Sequence, residues 1–186
     1  LPPERVAVYP ADVRDVDAIT AAGRACIAAQ GLPDVVIANA GISVGMDTAD
    51  FADLEVMRAT LETNVLGMAA TFQPFVEPMR QRGSGTLVGI ASVAGIRGLP
   101  GHGAYCASKA AVGAITRVLA VEWASKGIRV MDVAPGYIVT DLNADAMAPG
   151  GPLRAYLDKR IPGREPGTAA DVGALVAMLF TPACKF

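Results

Sequence analysis

Residues 86–133 read TLVGIASVAGIRGLPGHGAYCASKAAVGAITRVLAVEWASKGIRVMDV. Thr86–Ile90 is a short run with strand character, and Gly103–Lys126 has the length and alanine content of a helix. Arg129–Val133 is strand-like again, after Gly127. Strand, helix, strand predicts two parallel strands joined by a right-handed crossover.

The same alternation continues outward. Arg5–Tyr9 (RVAVY) reads as a strand, Asp12–Asp15 as a polar turn, and Val16–Gln30 as a helix closed by Gly31. Val35–Ala38 is a second short strand ending in Asn39-Ala40-Gly41. A long helix is predicted over Asp50–Arg82, with Pro74 and Pro78 bending or breaking it late. After Pro135-Gly136 comes a loop rich in Gly, Pro and Asp, holding a short helix at Pro152–Arg160. The last helix is Thr168–Phe180, with Thr168 as N-cap and Asp171 favouring the helix dipole. This β-α-β-α-β-α-β-α order predicts an α/β fold with a doubly wound parallel sheet of about four strands, in one domain over 1–186.

Composition agrees. Of the 186 residues, 52% are apolar, 18% charged and 5% aromatic, so the core is mostly small and aliphatic and disorder is excluded. The net charge of −2 supplies no general attraction to phosphate backbones or anionic lipid, so neither nucleic acid nor membrane is expected as a partner. The apolar runs Leu87–Ile96 and Val172–Phe180 fall short of the ~20 residues that span a bilayer. Cys26, Cys106 and Cys184 are scattered, which suits a reducing cytoplasm, and they read as packing residues. With His102 the sole histidine, no metal site is expected.

In an open parallel sheet, ligands bind beyond the carboxyl ends of the strands. Asp12, Asn39–Gly41, Ser92 and Pro135-Gly136 each follow a predicted strand, and together they predict one crevice. Tyr105 and Lys109, four apart, share one helical face beside it. With four tyrosines in the chain and four lysines, chance alone yields such a pair roughly one time in ten, so its position after Ser92 matters more than its spacing. A tyrosine hydroxyl titrates near 10, and a neighbouring ammonium favours the phenolate. Ser, Tyr and Lys in one crevice suit proton transfer to or from an alcohol or carbonyl.

The runs ANAG (Ala38–Gly41), ETNVLG around Asn64, GIASVAG around Ser92, GAYCASKAA around Tyr105 and Lys109, and APGYIVTDL (Ala134–Leu142) occur in order. In this the chain resembles the short-chain dehydrogenase/reductase family of NAD(P)-dependent oxidoreductases with a Rossmann-type fold. The resemblance implies Tyr105 as the acid/base during hydride transfer to or from NAD or NADP. It implies Lys109 as the residue that lowers the tyrosine pKa and holds the nicotinamide ribose. Ser92 would orient the substrate oxygen, and Asn64 would support a water-linked proton path. Asp12 and Val13 would lie near the adenine, and Asn39, Ala40 and Gly41 beside the adenosine ribose. Pro135, Gly136, Ile138 and Thr140 would lie around the nicotinamide carboxamide and phosphate. His102 and Met147 are further candidates to face an alcohol or ketone substrate. A homodimer or homotetramer through the two long helices is implied likewise.

The chain departs from the family at Ala38 and Met131, where asparagine is common, and in having no T-G-x-x-x-G-x-G turn to receive a pyrophosphate. Its first predicted strand matches the family's third, and ACKF stops where another strand is usual. The expectation is a fragment lacking the glycine-rich βαβ unit and the C-terminal end, with a sheet edge exposed where strands should pair. A catalytically inert binding or interaction module is the alternative reading.

Overall fold

The computed structural model describes residues 5–43, 53–141, 143–181 and 184. The chain divides into two compact units, residues 1–134 and 135–186.

In the first unit, α1 (Val16–Gln30) is capped by Asp15, whose carboxylate accepts from the Ala18 N–H, and ends at Gly31 with φ 84°. A parallel sheet follows in the order β1 (Val35–Ala38), β2 (Gly85–Ile90), β3 (Ile128–Val133). Its register pairs Val36 with Leu87 and Val88 with Met131. Between β1 and β2 run α2 (Leu54–Leu61), a π-helical turn (Glu62–Leu66) and α3 (Gly67–Arg82). The β2–β3 crossover holds a 3₁₀ turn (Val93–Gly95), α4 (Gly103–Trp123) and a second 3₁₀ turn (Ala124–Lys126) that ends at Gly127 with φ 74°.

Gly89 shows how closely helices meet sheet. A Cβ there would lie 3.0 Å from Met68 Sδ on α3 and 3.2 Å from Val112 and Thr116 on α4, so both helices lie on one face. The core between them is built of Val36, Ala38, Met68, Phe72, Phe75, Leu87, Val112, Ile128 and Val130.

Four expectations change. Arg5–Tyr9 is no strand: Val6 and Val8 are 50% and 78% exposed, and no described strand pairs with it. β-branched residues suit a strand, but only a backbone partner makes one. Pro74 and Pro78 sit inside α3 without ending it. The buried side chains Phe72, Phe75 and Met79 hold this helix on the core, and Pro74 packs directly over Gly23 of α1. The long helix is divided at the π turn instead, and its first expected residues, 50–52, lie outside those described. Finally, Gly103–Lys126 is long and apolar enough, by length and composition, to cross a membrane. Its buried residues Ala104, Ser108, Lys109, Val112, Gly113 and Thr116 include three polar ones, and α4 packs on β2 and β3, which makes it a core helix. β1 and β3 each have β2 as their single partner among the described strands, and Ile37 of β1 is exposed.

The second unit contains β4 (Ile138–Val139) paired in parallel with β5 (Gly167–Thr168). Its helices are α5 (Ala144–Met147), α6 (Arg154–Arg160) and α7 (Ala169–Leu179). Thr168 and Asp171 form the capping box of α7, and those hydrogen bonds hold the Asp171 carboxyl below its ordinary range. The β4–β5 pair and α5 were not legible as pattern, being two and four residues long.

Candidate active site

The π turn places Asn64 in the interior, 2% exposed. A π turn widens a helix by one residue, and such turns recur at functional sites. Asn64 Oδ1 accepts from the Ile42 N–H at 2.7 Å, and Nδ2 donates to the Ile42 carbonyl at 2.9 Å and to Ser108 Oγ at 2.9 Å. The loop Asn39–Ile42 after β1 is thereby tied to the middle of the helical layer.

Lys109, on α4, is 5% exposed and donates through Nζ to the Ile90 carbonyl at the end of β2, at 2.6 Å. Burial pushes its pKa down from 10.5 to about 8. Nζ also lies 5.6 Å from the centroid of the Tyr105 ring, so the two residues meet over one helical turn. Gly41 completes the cluster: a Cβ there would lie 3.3 Å from both Asn64 Oδ1 and Lys109 Nζ.

Ser92 is 8% exposed and caps the 3₁₀ turn that follows β2, its Oγ accepting from the Ala94 N–H at 3.1 Å. This turn is pressed onto α4, since a Cβ on Gly95 would lie 2.6 Å from the carbonyl carbon of Lys109. His102 precedes α4, and its Nδ1 lies 3.3 Å from Ser43 Oγ. Cys106 Sγ accepts from the Leu99 N–H at 3.4 Å.

Asn64, Lys109, Tyr105, Gly41 and the Ser92 turn thus gather at the carboxyl ends of β1 and β2. Asn39 and Ala40 are exposed on the same loop as Gly41. Asp12 and Val13 lie in the turn before α1. Val13 sits against Gly67, the first residue of α3, where a Cβ would meet Val13 Cγ2 at 2.7 Å. Asp12 is exposed, and the Arg14 guanidinium, donating to it at 2.6 Å, holds its carboxyl down at about 2.

The remaining candidates belong to the second unit. Pro135 and Ile138 are half-buried there, while Gly136 and Thr140 are exposed. Asn143 braces this segment: Oδ1 accepts from the Thr140 N–H at 2.8 Å and Nδ2 donates to the Ile138 carbonyl at 3.0 Å. Met147 is buried on α5.

Three contributors escaped the sequence reading: Gly95, Ser108 and Asn143. Ser108 and Gly95 stood inside quoted motifs, but their roles come from contacts distant in sequence. Asn143, three residues after Thr140, carried a local signal, since asparagine side chains bond nearby backbone in turns.

A family model described as enoyl-(acyl carrier protein) reductase matches residues 2–186. An uncharacterized oxidoreductase of Myxococcus xanthus is 41% identical over 133 residues, 72% of this chain and 52% of that protein. Acetoacetyl-CoA reductase of Synechocystis is 34% identical over 177 residues, 92% of this chain and 70% of that enzyme. Among solved structures, ElxO with NADP bound is 28% identical with a TM-score of 0.92, over 98% of this chain and 74% of that one. The ordered motifs, the parallel sheet and these matches lead to one conclusion: the chain belongs to the short-chain dehydrogenase/reductase family.

Proposed function

We propose that this chain carries the proton-transfer site of an NAD(P)-dependent oxidoreductase that interconverts an alcohol and a carbonyl. The observation that carries the reading is the buried Lys109 ammonium beside the Tyr105 ring, braced by the Ile90 carbonyl. A flexible surface lysine would serve poorly. One held by a backbone acceptor keeps its charge beside the Tyr105 ring when the proton leaves.

The donor chemistry fits a nicotinamide nucleotide. Lys109 has N–H groups beyond the one given to Ile90, and Asn39, Ala40 and Gly41 present an exposed loop beside it. When bound, the nicotinamide would supply or accept the hydride. Tyr105 would exchange a proton with the substrate oxygen, Ser92 would hold that oxygen, and Lys109 would hold the nicotinamide ribose. Both Asn64 amide N–H groups are engaged and its Oδ1 accepts from the Ile42 N–H, so the second lone pair of Oδ1 is what the side chain has to hold water near Lys109. Asp12 and Val13 are read as adenine neighbours, and Pro135, Gly136, Ile138 and Thr140 as the segment around the carboxamide and phosphate. Both units then form one NAD(P)-binding domain, a reading supported by a single family model running through both.

Leu54, Leu66, Val118 and Val121 are 55–82% exposed along α2, the π turn and α4, which supports pairing of two copies through these helices. The scattered cysteines Cys26, Cys106 and Cys184 support a reducing, cytoplasmic setting.

The test is turnover in the protein that carries this chain, with nicotinamide fluorescence reporting binding. Tyr105→Phe should lower turnover about 10³-fold or more, with affinity for NADPH or NADH nearly intact. Retained turnover would overturn the assignment. No binding of either nucleotide would favour the inert-module reading.

A further inference from the structure

The Ser108 hydroxyl is fully buried and makes two hydrogen bonds of opposite sense. It donates to the Tyr105 carbonyl at 2.7 Å and accepts from Asn64 Nδ2 at 2.9 Å. A serine hydroxyl has one proton. With that proton given to Tyr105, the side facing Asn64 is a lone pair, and only a donor is stable opposite it. The Asn64 amide must therefore turn Nδ2 toward Ser108. That orientation leaves Oδ1 toward the Ile42 N–H and the second Nδ2 proton toward the Ile42 carbonyl, the two-way pairing observed.

We propose that Ser108 is a positioning residue for the reacting pair: its hydroxyl holds the Asn64 amide on the backbone of Ile42 and ties both to the first turn of α4. One hydroxyl then links three elements that are distant in sequence: the loop after β1, the π turn, and the helix that carries Tyr105 and Lys109. Gly41 lies inside this tie, within close range of Lys109 Nζ and Asn64 Oδ1, so loosening Ile42 moves backbone away from the lysine. Without the hydroxyl, a buried amide N–H loses its acceptor, a state avoided in folded proteins, and the observed pose of Asn64 is penalised. Ser108 touches neither the substrate nor the nucleotide in this account, and acts through Asn64. The inference rests on reading Tyr105 and Lys109 as the reacting pair.

Amide hydrogen exchange on the nucleotide-free chain tests it residue by residue. In Ser108→Ala, exchange at Ile42 should accelerate about tenfold, while the core amides of Val88 and Val130 keep their protection. Ser108→Cys, of similar shape but a weaker acceptor, should fall between Ser108→Ala and the parent. Asn64→Ala should accelerate Ile42 at least as much as Ser108→Ala. The double variant should exchange no faster than Asn64→Ala alone, because the hydroxyl works through the amide. In the protein that carries this chain, Ser108→Ala should lower kcat about tenfold at nearly unchanged KM.

Unchanged Ile42 exchange, multiplying effects in the double variant, or unchanged kcat would each overturn the positioning role. So would loss of Val88 and Val130 protection in both Ser108 variants, which would make the residue a general support of the fold. Turnover retained in Tyr105→Phe would instead overturn the underlying function and leave the exchange pattern standing.

Discussion

In residues 1–134 the candidate groups Asn64, Ser92 and Lys109 are 2%, 8% and 5% exposed. In residues 135–186 the candidates Gly136 and Thr140 are exposed, and Pro135 and Ile138 are half-buried. A buried polar group must find its partners inside the protein, and each partner couples the site to the fold. Lys109 is coupled to the end of β2, Asn64 to the loop after β1 and to α4, and Ser92 to its own 3₁₀ turn. The exposed segment is held by the two bonds of Asn143 and by the short β4–β5 pairing, among other contacts. Substitutions in the first unit should therefore register as stability as well as activity. Those in the second should register as binding alone.

The largest effect is expected at Gly95. A Cβ there would lie 2.6, 2.7 and 2.8 Å from the Lys109 carbonyl carbon, its oxygen and the Ala110 nitrogen, all backbone atoms of α4. Backbone cannot rotate away as a side chain can, so Gly95→Ala must separate the Ser92 turn from the helix. Urea unfolding should show a loss of about 3 kcal/mol, the upper range for overpacking. A loss near zero would mean that the two elements are not held together as tightly as the comparison requires.

Lys109 comes next, with the opposite sign. Its pKa of about 8, against an ordinary 10.5, corresponds to a cost of about 3 kcal/mol for folding with the ammonium buried. Below pH 8 the lysine is charged in both folded and unfolded chains, and the folded chain bears that cost in full. Between pH 8 and 10.5 the unfolded lysine still binds a proton that the folded one has lost, so stability rises with pH across this window. Lys109→Met should thus stabilise the chain at pH 7 by about 2 kcal/mol, after about 1 is lost by orphaning the Ile90 carbonyl. The gain should shrink through the same window and give way above it to a loss of about 1 kcal/mol, the cost of the orphaned Ile90 carbonyl. Unfolding midpoints at several pH values measure this. A flat difference would show that the buried ammonium is not what limits stability.

What could be read from sequence follows the same division between local and distant causes. Residue types constrained by their own chemistry were legible, as with Asn39–Gly41 after a strand, Ser92, and the Tyr105/Lys109 pair. The β2–α4–β3 unit was legible too, because each element carries its own period. The π turn was not, since i→i+5 bonding leaves no side-chain pattern in ETNVL. Pro74 and Pro78 do not end the helix, because a local rule about proline yields when Phe72, Phe75 and Met79 bury the rest of that helix face. RVAVY misled in the other direction, as its β-branched residues describe one strand and say nothing of a partner. Gly95 and Ser108 serve contacts made only after folding, with α4 in one case and the π turn in the other.

The smallest stability effect is expected at Gly136, and it probes the exposed side of the comparison. Among the described residues nothing lies within 4 Å of a Cβ on Gly136, and its φ does not lie in the left-handed region, so alanine fits without strain. Gly136→Ala should change stability by less than about 0.5 kcal/mol in urea, as an ordinary surface substitution does. If this residue is glycine because a nucleotide passes close to its backbone, the added methyl should weaken NADPH or NADH affinity without touching the fold. Weaker binding at unchanged stability would sharpen the contrast between buried candidates coupled to their fold and exposed ones that are not. A loss of 1 kcal/mol or more would break it, since the space around Gly136 would then be filled by protein rather than left for a ligand.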